Sequence, residues 1–125
     1  YPSTDAPTVY PSYAENGHGY FLDMSLIKWF ITHYAPGADL ADKRLSPMYG
    51  DLAGVAPAVV VTAEFDPLRD DGAAYAKALK EAGVATKYHN FDGLTHEFFL
   101  LGRQSKAAQQ AVEETCAQFR ALLHR

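Results

Sequence analysis

Asp66 lies in the run Ala63-Glu64-Phe65-Asp66-Pro67-Leu68-Arg69-Asp70, and His96 follows in Gly93-Leu94-Thr95-His96-Glu97-Phe98-Phe99. An imidazole can take a proton from a serine hydroxyl when a carboxylate on its other ring nitrogen fixes the tautomer and stabilises the cation that forms. An acid and then a histidine, each just past a predicted strand, stand in the chain order of the last two members of a Ser…Asp…His triad. The first member is absent from the sequence: there is no Gly-x-Ser-x-Gly and no glycine-rich oxyanion segment. Ser3, Ser12, Ser25, Ser46 and Ser105 all lack a glycine-flanked elbow, and Ser46-Pro47 reads as a turn.

Both residues also have plain structural readings. Asp66 before Pro67 is a good helix N-cap with proline at the first helical position. A single loop histidine is commonly a surface or packing residue. The pair gains weight from placement, because working residues of open α/β sheets gather just past the carboxyl ends of neighbouring strands. His18, His33, His89 and His124 make no His-x-His or His-x-x-x-His ligand spacing, so no metal site is expected. His89 is expected within a strand and His124 at a fraying end.

The elements that must position the pair are legible from periodicity. Residues 1–20, rich in Pro, Gly, Ser and Tyr, read as irregular connection. Residues 22–34 read as a helix with Leu22, Leu26, Ile27, Phe30 and Ile31 on one apolar face, ended by Ala35-Pro36-Gly37. A long loop over residues 39–57 follows, of the length that is usually functional or packed under something. Residues 58–63 form a nearly unbroken β-branched run, as in a parallel strand buried on both faces. Residues 68–82 return to helix period, with Ala74, Ala78, Leu79 and Ala82 opposite Lys77, Lys80 and Glu81, and Gly83 as the stop. Residues 86–91 read as a second, more amphipathic strand nearer an edge. Residues 105–123 read as a final helix with Ala108, Val112, Cys116, Phe119 and Leu123 as its buried stripe.

Strand, helix, strand, helix is a βαβ unit with one more helix, and two strands alone make a poor open parallel sheet. One long apolar edge would stay unpaired, so the organisation itself predicts further strands outside this sequence. The chain is expected to be an α/β unit with an incomplete sheet: residues 1–57 a connection and helix, which the family resemblance given below places on the pocket and cap side, and residues 58–125 the βαβα unit carrying the acid and the histidine.

The 125 residues suffice for one domain, and 48% hydrophobic with 21% charged residues is an ordinary globular balance. The net charge of −4 and scattered Lys28, Lys43, Arg44, Arg69, Lys77 and Lys80 offer no basic stripe for a nucleic acid. The single Cys116 excludes an internal disulfide, reads as a small buried apolar residue, and fits a reducing, cytoplasmic setting. No apolar run reaches the roughly 18 residues of a membrane span. The amino terminus resembles no signal peptide and carries no initiator methionine, as though cut from a longer chain.

At Tyr1-Pro2-Ser3-Thr4-Asp5, Arg44-Leu45-Ser46-Pro47-Met48, the run from Pro57 through Asp66-Pro67-Leu68-Arg69-Asp70-Asp71-Gly72, Tyr75-Ala76, Leu79-Lys80-Glu81-Ala82-Gly83-Val84, and Gly93-Leu94-Thr95-His96-Glu97-Phe98, the chain resembles the hormone-sensitive-lipase branch of the α/β-hydrolases. That resemblance implies hydrolysis of short- to medium-chain carboxylic esters through an acyl-serine, with no cofactor. Asp66 would orient His96, and His96 would act as base and then as acid. The serine and the oxyanion loop would lie upstream of Tyr1, making this chain the carboxyl-terminal part of such an enzyme and inert alone. The resemblance also implies an acyl pocket lined by Tyr20, Phe21, Trp29 and Phe30, although for any one of them a helix packing its apolar stripe on the core is the more ordinary explanation. It further implies self-association through the last strand and helix. One departure is Glu97, which stands where the family usually has glycine and implies an ordinary backbone conformation there, with a second carboxylate near the imidazole.

Two rivals accompany this reading. The chain could pair with a separate amino-terminal half of the same hydrolase, motivated by the exposed sheet edge. It could instead be a non-catalytic α/β binding or assembly module that kept the scaffold and lost the nucleophile.

Overall fold

Val59, Val60 and Val61 are stiff at χ1 and fit a pleated, covered surface, and they lie in the strand β1, Ala58–Phe65. A computed structural model describes residues 1–123, so His124 lies outside the described residues. β1 pairs in parallel with β2, Thr86–Thr95, in a two-stranded sheet. Between them runs the helix Arg69–Glu81. The other helices are Pro11–Asn16, Met24–Tyr34 and Lys106–Leu123. In chain order the helices are α1 (Pro11–Asn16), α2 (Met24–Tyr34), α3 (Arg69–Glu81) and α4 (Lys106–Leu123). Pro47–Tyr49 and Phe98–Leu100 add single 3₁₀ turns.

The two faces of β1 are covered by different helices, as the unbroken apolar run requires. Val61 and Ala63 pack with Phe91, Leu94, Phe98, Ala108 and Ala111, on the side of α4. Val60 packs with Ala76, Leu79 and Val84, on the side of α3. Gly72 marks the closest approach of α3 to the sheet, since a Cβ there would come within 2.5 Å of the Thr62 methyl. No described helix is long and apolar enough to cross a membrane.

Several local expectations are corrected. The connection over residues 1–20 contains α1, which begins with Pro11 at its first position, where the missing N–H costs nothing. α2 has no buried residue: Leu26, Trp29 and Phe30 are all exposed, so its apolar stripe does not pack on the core of this chain. α3 begins at Arg69, not at Pro67, and Leu68 holds its N-cap position. The buried residues of α4 are Ala108 and Ala111, while Cys116, Phe119 and Leu123 are exposed. The helix meets the sheet through its small residues near its start. β2 continues to Thr95, four residues beyond the expected run, which carries it to the threshold of His96.

Glu97 is the sharpest correction. It adopts φ 60°, ψ 21°, in the left-handed region, where the ordinary conformation was expected. The chain must turn sharply between the end of β2 and the buried Phe98, and the backbone geometry demanded there is the same whether or not the residue is glycine. Among the described residues Phe21 is the other non-glycine residue with positive φ, at 76°.

Candidate active site

β1 and β2 end side by side, so residues just beyond their carboxyl ends share one rim of the sheet. Asp66 follows β1 directly and His96 follows β2 directly. His96 Nδ1 lies 2.8 Å from Asp66 Oδ2. Asp66 is fully buried, and its second oxygen, Oδ1, accepts the Leu68 backbone N–H at 2.8 Å. Each carboxylate oxygen therefore accepts a hydrogen bond, and the proton of the contact with His96 sits on Nδ1. Asp66 is therefore not the N-cap of α3, a position held by Leu68: one of its oxygens serves the turn before α3, the other serves the imidazole.

With Nδ1 engaged, Nε2 holds the free lone pair. Nε2 makes no hydrogen bond to a described residue, and no buried side-chain nitrogen or oxygen among the described residues lacks a partner. Nε2 is thus without a partner among the described residues, on a ring whose side chain is 15% exposed. An imidazole held by a buried carboxylate on one nitrogen and accessible on the other is equipped to take and return a proton.

The imidazole is also packed on its face. The Tyr1 ring lies 4.6 Å from the His96 ring, centroid to centroid, and makes an edge contact with Phe98 at 5.4 Å. Burial, with the nearby Glu97 and Asp66 charges, pushes the Tyr1 phenol above its ordinary pKa, so it stays neutral. Behind Asp66, Asn16 Nδ2 donates to the Glu64 carbonyl at 3.0 Å and to the Asp66 carbonyl at 3.4 Å. Ser12, buried in α1, donates its hydroxyl to the Pro67 carbonyl at 2.6 Å and its backbone N–H to Asp70 at 2.9 Å. α1 is in effect a bracket on the Asp66–Asp70 turn.

The aromatic residues expected to line a pocket are not gathered around His96. Tyr20 stacks on Phe65, 5.0 Å away and one residue before Asp66. Phe21 is 66% exposed. Trp29 stacks on His33 at 4.2 Å and meets Phe30 at its edge, while Phe30 lines a cavity of about 310 Å³ with Ile31, Tyr34 and Leu45. A cavity of about 450 Å³ does lie beneath α2, but Tyr13, Met24, Ile27, Ile31 and Leu40 are among the residues that line it. Of the serines, Ser12 and Ser46 are fully buried and satisfied; Ser46 accepts the Ala6 N–H and donates to the Leu40 carbonyl.

Sequence reasoning gave Tyr1, Asn16 and Glu64 no part in this site. Tyr1 meets the His96 ring near the other end of the chain, and the partners of Asn16 and Glu64 lie 48 and 29 residues away. No local period or spacing identifies such contacts; the only signal was that Tyr1 and Glu64 fall inside the motifs that carry the family resemblance.

Two parallel strands flanked by helices, with an acid and a histidine meeting at their carboxyl ends, define a fragment of an α/β-hydrolase sheet and its rim. The family model described as alpha/beta hydrolase fold matches residues 1–100, and the chain belongs to that family, in the branch its motifs resemble. It is 41% identical to ethyl acetate hydrolase of Pseudomonas putida, over 90% of this chain and 36% of that protein. It is 38% identical to carboxylesterase NlhH of Mycobacterium tuberculosis, over 99% of this chain and 40% of that protein. Among solved structures, an α/β-hydrolase enzyme from the metagenome of Lake Arreo superposes with a TM-score of 0.92 at 42% identity, over 99% of this chain and 40% of that one. The chain thus spans about two fifths of the length of the relatives it matches.

Proposed function

We propose that this chain supplies the acid and the base of a serine-dependent carboxylic ester hydrolase, with the nucleophile and the oxyanion donors contributed by residues outside it. The observation that carries the proposal is the 2.8 Å contact of His96 Nδ1 with the buried Asp66, which leaves Nε2 accessible. The names of the similar proteins supply the reaction class.

In this reading a serine hydroxyl placed against Nε2 passes its proton to His96 as its oxygen attacks the ester carbonyl. The tetrahedral intermediate collapses as His96 returns that proton to the leaving alcohol, forming an acyl-serine. Water then repeats the sequence, deprotonated by His96, and releases the acid. Asp66 holds the imidazole in the tautomer that accepts at Nε2 and stabilises the imidazolium in between. The substrates are short- to medium-chain esters, in line with relatives named for ethyl acetate and carboxylic esters. The free edge of β1 supports an upstream contribution. A groove of about 640 Å³ runs along Ala58–Val61 with Val55, Tyr75 and Leu79 on its walls.

The test is p-nitrophenyl ester hydrolysis by the intact protein that carries this chain. His96→Ala and Asp66→Asn are expected to lower kcat by roughly 10⁴-fold or more while leaving the melting temperature nearly in place. Turnover by His96→Ala within tenfold of wild type would refute the assignment.

A further inference from the structure

β1 and β2 run in simple register from Ala58 opposite Thr86 to Ala63 opposite Phe91, and the register then slips so that Phe65 faces Thr95. Between those pairs a single residue of β1, Glu64, faces three of β2: Asp92, Gly93 and Leu94. The extra length makes an arch, and Gly93 takes φ 72° within it, a conformation in which glycine carries no Cβ penalty. An arch of this kind takes its N–H groups off the ladder. The Gly93 N–H is satisfied by the Glu64 side chain, whose Oε2 accepts it at 2.7 Å. The Glu64 carbonyl is in turn held by Asn16 Nδ2 at 3.0 Å.

We propose that Glu64 is a positioning residue for the Asp66–His96 pair: its carboxylate closes the arch in β2 and so sets where His96 leaves the sheet. Glu64 stands two residues before Asp66, and Gly93 three residues before His96, so one charge-assisted hydrogen bond ties the approach to the acid to the approach to the base. Without it, the glycine at the top of the arch gives the His96 loop a choice of backbone conformations, and the 2.8 Å contact with Asp66 is no longer imposed from both strands. The inference rests on the acid–base roles proposed above.

The experiment compares Glu64→Ala and Glu64→Gln in the intact protein, with His96→Ala as the control. In Glu64→Ala, kcat for p-nitrophenyl butyrate is expected to fall about ten- to a hundredfold with KM little changed, because a reacting group has been misplaced and not removed. Glu64→Gln should recover most of that loss, since the amide oxygen can accept the Gly93 N–H. The low-field NMR resonance of the His96 Nδ1 proton should weaken or move in Glu64→Ala and return in Glu64→Gln. A Glu64→Ala protein with unchanged kcat and an unchanged resonance overturns the proposal, as does a fall in kcat that merely tracks loss of folded protein. If His96→Ala keeps its turnover, the acid–base reading fails instead. The resonance needs no turnover and still decides whether Glu64 holds His96 against Asp66.

Discussion

Asp71 of α3 reaches back across the chain to Thr4: both carboxylate oxygens accept the Thr4 backbone N–H, at 3.2 and 3.0 Å, and Oδ1 also accepts the Thr4 hydroxyl. Asp5 N–H adds a longer contact at 3.4 Å. Asp71 is fully buried, and these bonds compensate it for leaving water. Asp5 in turn accepts from the Tyr10 and Tyr49 hydroxyls, at 2.7 and 3.0 Å, which fastens the 3₁₀ turn at Pro47–Tyr49 to the same knot. The segment that carries Tyr1 to the face of His96 is therefore anchored from α3.

Asp71→Ala would leave the Thr4 and Asp5 donors buried without partners. We expect it to destabilise the protein by roughly 2–4 kcal/mol, since each abandoned buried donor costs about 1–3 kcal/mol. Urea denaturation of the intact protein checks this. A loss below about 0.5 kcal/mol would show that water replaces the carboxylate without penalty.

Gly72, the next residue, tests close packing. Helix propensity alone favours Gly72→Ala by about 0.5–1 kcal/mol. The new Cβ would meet the Thr62 methyl at 2.5 Å and Pro2 Cδ at 3.2 Å. Overpacking of a tight contact typically costs about 1–3 kcal/mol, so the substitution should be net destabilising. A raised melting temperature would contradict the close approach of α3 to β1.

Glu97 offers the opposite sign. A side chain in the left-handed region costs roughly 1–2 kcal/mol, while the greater freedom of an unfolded glycine takes back about 0.4–1 kcal/mol. Glu97→Gly should therefore stabilise the protein by up to about 1 kcal/mol, read from the denaturation midpoint. A clear loss of stability would mean that the Glu97 side chain makes favourable contacts larger than the strain it carries.

Asp70 gives a pH dependence. Partial burial raises its pKa, but Arg69 and Ser12 together outweigh that and hold it below the ordinary 3.8. A depressed folded value means that the stabilisation is present above the unfolded pKa and is lost as the pH falls through the folded one. The stability difference between wild type and Asp70→Asn should be largest above about pH 5 and fade at pH values below 3.8. Asp70 and Arg69 side chains are 27% and 25% exposed, so the difference should be about 1 kcal/mol or less. A difference that grew on acidification would reverse the assigned sign.

The α/β alternation, the covered strand at Val59–Val61 and the pairing of Asp66 with His96 could be read from the residues themselves. Each rests on short-range patterns: a β-branched run, a helix period, an acid and a histidine placed after strands. Local pattern carries this information because strand and helix periods decide which face a side chain occupies before anything packs against it. Burial could not be read the same way. The apolar stripe of α2 and the later turns of α4 have the right spacing to be covered, yet Phe30, Phe119 and Leu123 are exposed, because spacing fixes a face and not what packs against it. The left-handed turn at Glu97, the arch at Gly93 and the bonds from Asp71, Asn16 and Glu64 were decided by tertiary structure alone. They arise where two strands of unequal length must finish at one rim, and the partners that make this possible are brought together only by the fold.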